Sequence, residues 1–357
     1  MNKDDSFMAC KLKKVLICAN FGKTDQINCG QMIKSKILKD ELIKVYGDSE
    51  VSIHNTAHSV KALIILLFRI SKYLKEHKNI IIMPARNGIR VTAPLFYFVN
   101  MFYHKKLSYV VIGGWLPSFL EKRPLLKKIV SCFDGIYVET NVMLKTLEQN
   151  GLKNVFLMPN FRMLNAVREN DIIINDSSPV RLCTFSRVSK EKGIEDAIRA
   201  VTELNKEYHH NLFSLDIYGK IDKEQKDWFN NIKQSFPDYI KYKGRVSYTE
   251  SVCVLKDYYA LLFPTYYDGE GLAGTLIDAM AAGIPSVVSD WKYNSEIIEN
   301  GENGYLFKTR NVEEMKDKIR LLYMDKEKYE YMRKASLDKY RKFTPEAVMP
   351  ILLSHLN

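Results

Sequence analysis

Short apolar runs recur along the first half of the chain as KKVLICAN, NIIIMPA, LSYVVIGGW, GIYVET and NVFLMPNF, with an amphipathic segment from Gln31 to Val45 after the first. Buried runs of this length separated by helical stretches predict a parallel α/β sheet. The segment Asn165 to Pro179 is polar, closes on Asp176, Ser177, Ser178 and Pro179, and reads as a linker. Alternation restarts beyond it, with a strand over Arg181 to Ser186 and a helix over Gly193 to Val201. The pattern therefore predicts two α/β domains, residues 1–165 and 166–335, followed by a segment 336–357 in which Thr344 and Pro345 open a last helix. At 357 residues and 46% hydrophobic, the chain can bury two cores. The longest unbroken apolar run, Ala62 to Phe68, is far short of the about 20 residues a membrane span needs. Together with Phe96 to Phe102, which Asn100 interrupts, it predicts a buried helix rather than an anchor.

The densest chemistry lies in LLFPTYYDGEGLAGTLIDAMAAGIPSVVSD, residues 261–290. Leu261 to Pro264 and Ser286 to Ser289 read as buried strands, while Leu276, Ala279, Met280 and Gly283 fall at helical spacing. The intervening loop then sits at a strand's carboxyl end, where open parallel sheets bind ligands. The backbone of Gly271, Leu272, Ala273, Gly274 and Thr275 would offer N–H groups to an anion at the helix start. Glu270 lies in the loop and Asp278 one turn into the helix, so both can face one bound molecule. Two acids beside a phosphate cradle suit a sugar nucleotide. The same residues spell GEGLAG, a GxGxxG string, with Asp290 ending the next strand, which admits a dinucleotide reading. Here, however, Thr265 to Asp268 separate the strand from the first glycine. A purely structural reading has Thr275 capping the helix and Asp278 completing a capping box.

Upstream, RLCTFSRVSKEKGIEDAI places Arg187 and Lys192 in a strand-to-helix turn. Fixed guanidinium and ammonium groups aimed at a departing diphosphate lower its barrier without a metal, whereas a solvated basic turn would have no partner. The two segments together, Glu270 followed eight positions later by an acid and then DAMAAGIPSVVSD and SEIIENGENGYLF, resemble the retaining glycosyltransferases of family 4. The usual second acid of that motif is Glu, where this chain has Asp278. The resemblance implies the GT-B fold, two Rossmann-like parallel-sheet domains facing a cleft, with the last segment crossing back to brace the first domain. It implies that Glu270 holds donor-sugar hydroxyls, Asp278 the ribose, and Arg187 and Lys192 the diphosphate. It further implies transfer with retained anomeric configuration onto a lipid-linked or oligosaccharide acceptor during assembly of a bacterial surface polysaccharide. The nucleotide sugar is then a substrate, and no metal or other cofactor is expected. A nicotinamide-dependent oxidoreductase and a catalytically silent binding subunit on the same fold are the competing readings.

The acceptor side is read from loops at the same sheet edge. Gly30 and Lys34 in NCGQMIKSK follow the first strand, Asn87 lies in PARNG, and Gly113 and Gly114 precede Trp115. Lys34 is expected to point an ammonium at the cleft, and Gly30 to let backbone approach it. Many family members carry a His near the glycine pair; this chain does not, so no general base is assigned. His54, His58, His77 and His104 are expected at the surface or in the packing.

Charge adds a partner. Residues 1–165 hold 25 Lys and Arg against 12 Asp and Glu, and the remainder 28 against 30, so the net +11 belongs to the first domain. No recognised nucleic-acid-binding motif or zinc spacing accompanies it, which leaves an anionic membrane surface as the expected partner. Phe119, Leu120, Leu125, Leu126, Ile129 and Val130 among Lys122, Arg123, Lys127 and Lys128 have the composition of an interfacial helix, or of a core helix with a basic outer face. The start, MNKDDSFMAC, lacks the form of a signal peptide, and the six cysteines show no CxxC. The expectation is a cytoplasmic protein with reduced thiols, peripheral on the inner face of the cytoplasmic membrane.

Overall fold

The computed structural model describes residues 12–22, 30–57, 60–171 and 178–356. Among these residues twelve strands fall into two parallel sheets. The first contains β1 (Lys13–Ala19), β2 (Val51–Asn55), β3 (His77–Met83), β4 (Lys106–Val110), β5 (Gly135–Val138) and β6 (Val155–Leu157), in the order β2-β1-β3-β4-β5-β6. The second contains β7 (Val180–Phe185), β8 (Phe213–Tyr218), β9 (Ile240–Gly244), β10 (Ala260–Phe263), β11 (Ser286–Asp290) and β12 (Gly304–Lys308), ordered β12-β11-β10-β7-β8-β9. Strands buried on both faces carry unbroken apolar runs, as in Val15 to Ala19 of β1 and all of β5. The edge strand β2, VSIHN, has only two aliphatic residues, one of them exposed, and its sequence gives little sign of a strand.

Helices cover both faces of each sheet. Around the first lie α1 (Gly30–Tyr46), α2 (Val60–Glu76), α3 (Ile89–Asn100), α4 (Leu116–Glu121), α5 (Pro124–Val130) and α6 (Asn141–Gln149). Around the second lie α7 (Ile194–Glu207), α8 (Lys226–Lys233), α9 (Ser251–Leu255), α10 (Gly274–Ala281), α11 (Asn294–Ile297), α12 (Val312–Met324) and α13 (Lys326–Tyr340). The last helix, α14 (Pro345–Leu356), leaves the second sheet and buries Val348, Met349, Leu352 and Leu356 in the core around Val15, Ile17 and Ile81 of the first. The Asn79 side chain donates to the Leu356 carbonyl at 2.9 Å and fixes that return.

One stretch takes the second of its two expected forms, and another departs from expectation. Phe119, Leu120, Leu126, Ile129 and Val130 are buried in the first core, leaving Leu125 as the exposed apolar residue of that segment. Its cations Lys122 and Lys128 remain exposed, so the segment is a core element with a basic outer face. Conversely, the apolar runs expected to be buried are open on one side. Val60, Ile64, Ile65, Leu67 and Phe68 of α2 are exposed, as are Val91 and Phe98 of α3 and Met101 and Phe102 just beyond it. Sheet packing takes only one stripe of each helix, Ala62, Leu66, Ile70 and Leu74 in α2, and the apolar positions outside it are left exposed among the described residues.

Candidate active site

Strand order fixes where ligands bind, because the crevice opens where the order reverses. In the second sheet the reversal lies between β7 and β10. The turn holding Arg187 and Lys192 follows β7, and the loop holding Glu270 follows β10, so both segments flank one crevice. In the first sheet the reversal lies between β1 and β3, beside Asn20 and the Pro84 to Gly88 turn.

Lys192 and Glu270, 78 positions apart in sequence, form a buried ion pair through Nζ and Oε2. The Thr265 hydroxyl also donates to Glu270 Oε2, at 2.9 Å. Gly193 sets Lys192 in place. Its φ of 68° is in the left-handed region, and a Cβ there would drive into the Pro264 carbonyl oxygen. Arg187 donates to Asp222 Oδ2 at 2.8 Å and lies 5.0 Å from the centre of the Tyr267 ring, which leaves donors of its fork for another acceptor. Lys192 sits over the same ring at 5.1 Å.

Asp278 is buried and paired with Arg162, whose Nε donates to Oδ1 at 3.2 Å. Burial raises the Asp278 carboxyl to about 6, against the opposing pull of Arg162. The Arg162 Nη1 atom is buried and has no hydrogen-bond partner among the described residues. Gly274 has no room for a side chain because a Cβ would collide with that guanidinium. The helix-cap reading fails here. Helix α10 begins at Gly274, the cap position is Ala273 with no side-chain bond, and the Thr275 hydroxyl instead donates to the Phe185 carbonyl at 2.5 Å.

The first domain supplies a carboxylate that sequence reasoning did not find. Glu139, just after β5, is buried; its Oε1 accepts from Lys34 Nζ at 2.8 Å, and its Oε2 accepts the N–H groups of Gly113 and Leu272, each at 3.2 Å. Lys34 therefore does not face the cleft. A buried ammonium requires acceptors, and Glu139 with the Val111 carbonyl provides them. The Leu272 N–H expected in the anion cradle is taken by Glu139 as well. Gly271 fits tightly because a Cβ would strike Glu139 Oε2, and Gly114 because one would strike the Glu270 carbonyl and the Tyr293 ring. Gly30 lines the cleft, but among the described residues nothing lies near where its Cβ would be; Asn28 and Cys29, just before it, lie outside them. Asn87 lines a separate groove. His54 and His77 are buried and His104 is exposed, while His58, Cys10 and Cys29 lie outside the described residues.

Two cavities meet across this junction. One of about 640 Å³ is lined by Glu139, Lys192, Glu270, Gly113, Trp115 and the Gly269 to Thr275 loop. The other, about 200 Å³, is lined by Asp278, Tyr218, Arg245 and Tyr248. Arg162, Arg187, Phe185, Ser186, Thr275 and Gly30 border both. The arrangement offers on one side a recess with aromatic rings, Asp278 and the cations Lys220 and Arg245, two guanidinium groups at the neck and a polar chamber beyond. A dinucleotide fits it poorly: the glycine loop follows the fourth strand of its sheet rather than the first, and the Glu139 carboxylate lies against Gly271. Among the described residues no group of three or more His, Cys, Asp or Glu side chains could hold a metal ion, and no helix is long and apolar enough to cross a membrane.

Residues 168–339 match the family model of glycosyl transferases group 1. The chain is 32% identical over 158 residues to the UDP-N-acetylglucosamine–peptide N-acetylglucosaminyltransferase GtfA subunit of Streptococcus pneumoniae, a match covering 43% of this chain and 30% of the relative. It is 29% identical over 230 residues to a poly(ribitol-phosphate) alpha-N-acetylglucosaminyltransferase of Staphylococcus aureus, covering 63% of this chain and 44% of that protein. The chain thus spans less than half the length of these curated relatives. Among solved structures, Anabaena Alr3699/HepE in complex with UDP superposes with a TM-score of 0.72 at 13% identity, covering 96% of this chain and 99% of that one. The chain has the GT-B fold, and its second domain carries the sequence pattern of group 1 glycosyl transferases.

Proposed function

We propose that this protein is a retaining glycosyltransferase of the family 4 type, moving a sugar from a nucleoside-diphosphate sugar to a hydroxyl of a lipid-linked glycan during bacterial surface-polysaccharide assembly at the inner face of the cytoplasmic membrane. The observation that carries the reading is the neck between the two cavities, where Arg162 and Arg187 stand between the Asp278 recess and the Lys192–Glu270 chamber. The nucleoside occupies the recess, with Phe185, Tyr218 and Tyr248 at hand for the base and the Asp278 side for the ribose. The diphosphate lies at the neck and the donor sugar in the chamber, where Glu270 receives its hydroxyls. Of the proteins that this chain resembles, one is named for UDP-N-acetylglucosamine and another holds UDP, which makes a uridine donor the first to test.

In the reaction, the bond between the anomeric carbon and the diphosphate oxygen breaks, and the acceptor oxygen bonds to that carbon on the same face. The acceptor's proton passes to the departing phosphate oxygen. Charge accumulating there is met by Arg187 and Lys192, so no metal ion is needed. The loop carrying Glu270 is also held to Lys192, so sugar and leaving group are positioned by one rigid pair.

The test is calorimetric titration with UDP, UDP-N-acetylglucosamine and NAD, followed by turnover of the nucleotide sugar with and without a chelator. Saturable UDP binding and chelator-resistant release of UDP are expected. NAD binding in place of UDP would indicate the oxidoreductase, and UDP binding without turnover on any acceptor the silent subunit.

A further inference from the structure

The exposed apolar faces of α2 and α3 are not explained by the cleft. Val60, Ile64 and Phe68 recur at four-residue intervals along α2, and Phe68 is 85% exposed. Phe98 of the neighbouring α3, which packs against α2, and Phe102 just past its end, 83% exposed, add apolar surface beside it. Scattered single apolar residues are ordinary on a protein surface, whereas a contiguous face of this kind marks an interaction site. Its charge setting is one-sided: residues 56–133 contain 13 Lys and Arg but only two acids, Glu76 and Glu121. Lys61, Arg69 and Arg90 are exposed on the two helices themselves.

A groove of about 380 Å³ runs between these helices. Val60, Leu63 and Val91 form its apolar walls, and its inner end reaches the β1/β3 reversal at Asn20 and Asn87. Gln31 and Ala85 border both this groove and the larger chamber of the active site. The groove therefore adjoins the chamber in which the proposed transfer takes place.

We propose that the outer faces of α2 and α3 seat in an anionic lipid leaflet, with Phe68 and Phe102 entering the acyl boundary, and that the groove between them leads a lipid-linked acceptor's head group into the chamber. The leaflet is the occupant that matches both features, because it offers apolar depth and a negative surface to flanking cations at once. The groove's role rests on the proposed transfer to a lipid-linked acceptor; the docking surface does not.

The experiment is cosedimentation with vesicles of phosphatidylcholine alone and of phosphatidylcholine with phosphatidylglycerol, at low and high salt. Wild type should bind the phosphatidylglycerol vesicles at low salt and release as salt rises. Replacing both exposed rings, Phe68→Ser with Phe102→Ser, should lower the vesicle-bound fraction about tenfold or more while UDP affinity stays unchanged, since each ring leaves solvent only on insertion. Replacing Lys61, Arg69 and Arg90 by Gln should reduce binding and flatten its salt dependence. Equal binding to both vesicle types, or unaltered binding by the ring variant, would overturn the surface. So would a dimer that the ring variant converts to monomer without vesicle binding in wild type, which would assign the face to a second copy. Vesicle binding requires no donor, so failure to bind UDP would count against the proposed activity alone.

Discussion

At the scale of single residues, the site is a set of buried charges that satisfy one another until a ligand intervenes. Lys192 is held by Glu270, and if it stabilises the leaving diphosphate, Lys192→Ala should lower turnover about a hundredfold or more, the usual cost of one preorganised charge donor. A steady-state assay of UDP release measures this. Asp278 gives a prediction in pH. Its carboxyl lies at about 6 in the folded protein against 3.8 ordinarily, so folding favours the protonated form. The stabilisation it brings is complete below 3.8 and is lost as pH rises through about 6. Asp278→Asn removes that dependence, and between about pH 5 and about pH 8 the variant should lose roughly 1 kcal/mol less stability than wild type. Denaturant titration at the two pH values reads the difference; an equal loss in both would mean that Asp278 is ionised throughout. Glu270, Asp278, Arg187 and Lys192 could be read from the sequence because each belongs to a local strand, loop and helix pattern. Glu139 and Arg162 could not. Their partners Leu272 and Asp278 lie 133 and 116 residues away, and no periodicity reports such a meeting.

At the scale of elements, helix α10 is shaped by what approaches its first turn. Gly274→Ala would push a methyl into the Arg162 guanidinium and displace it from Asp278, so the change should weaken UDP binding at least about tenfold and cost roughly 1–3 kcal/mol of stability. Calorimetry and thermal denaturation check the two effects separately. Unbroken apolar strands such as β1, β5 and β10 were plain in the sequence, because a strand covered on both faces admits nothing else. Strand β2 was hidden because an edge strand needs so little apolar surface. Helices α2 and α3 misled in the opposite sense. Their apolar content exceeds what the sheet can cover, and composition alone does not tell a buried face from one reserved for a partner.

At the scale of the whole molecule, the ties between the domains differ in strength. The Glu296 carboxylate from the second domain accepts the Asn141 and Val142 N–H groups, at 2.6 and 2.9 Å, at the start of α6 in the first domain. The position favours an anion at a helix start, yet it is exposed to solvent, so the latch is weak and reversible. Glu296→Ala should enlarge the radius of gyration in solution scattering and raise KM for the donor more than it lowers kcat. A firmer tie is α14, which completes the first core with residues made about 200 positions after β6. On the ribosome, at ~5–20 residues/s, the first sheet must wait on the order of 10–40 s for its last layer. Through that interval Val15, Ile17 and Ile81 keep an open side, while the second domain can finish first. Order of synthesis and order of folding are therefore reversed at this seam. A fragment of residues 1–165 should aggregate or remain molten when made alone and gain cooperative unfolding when a peptide of residues 345–356 is supplied in trans.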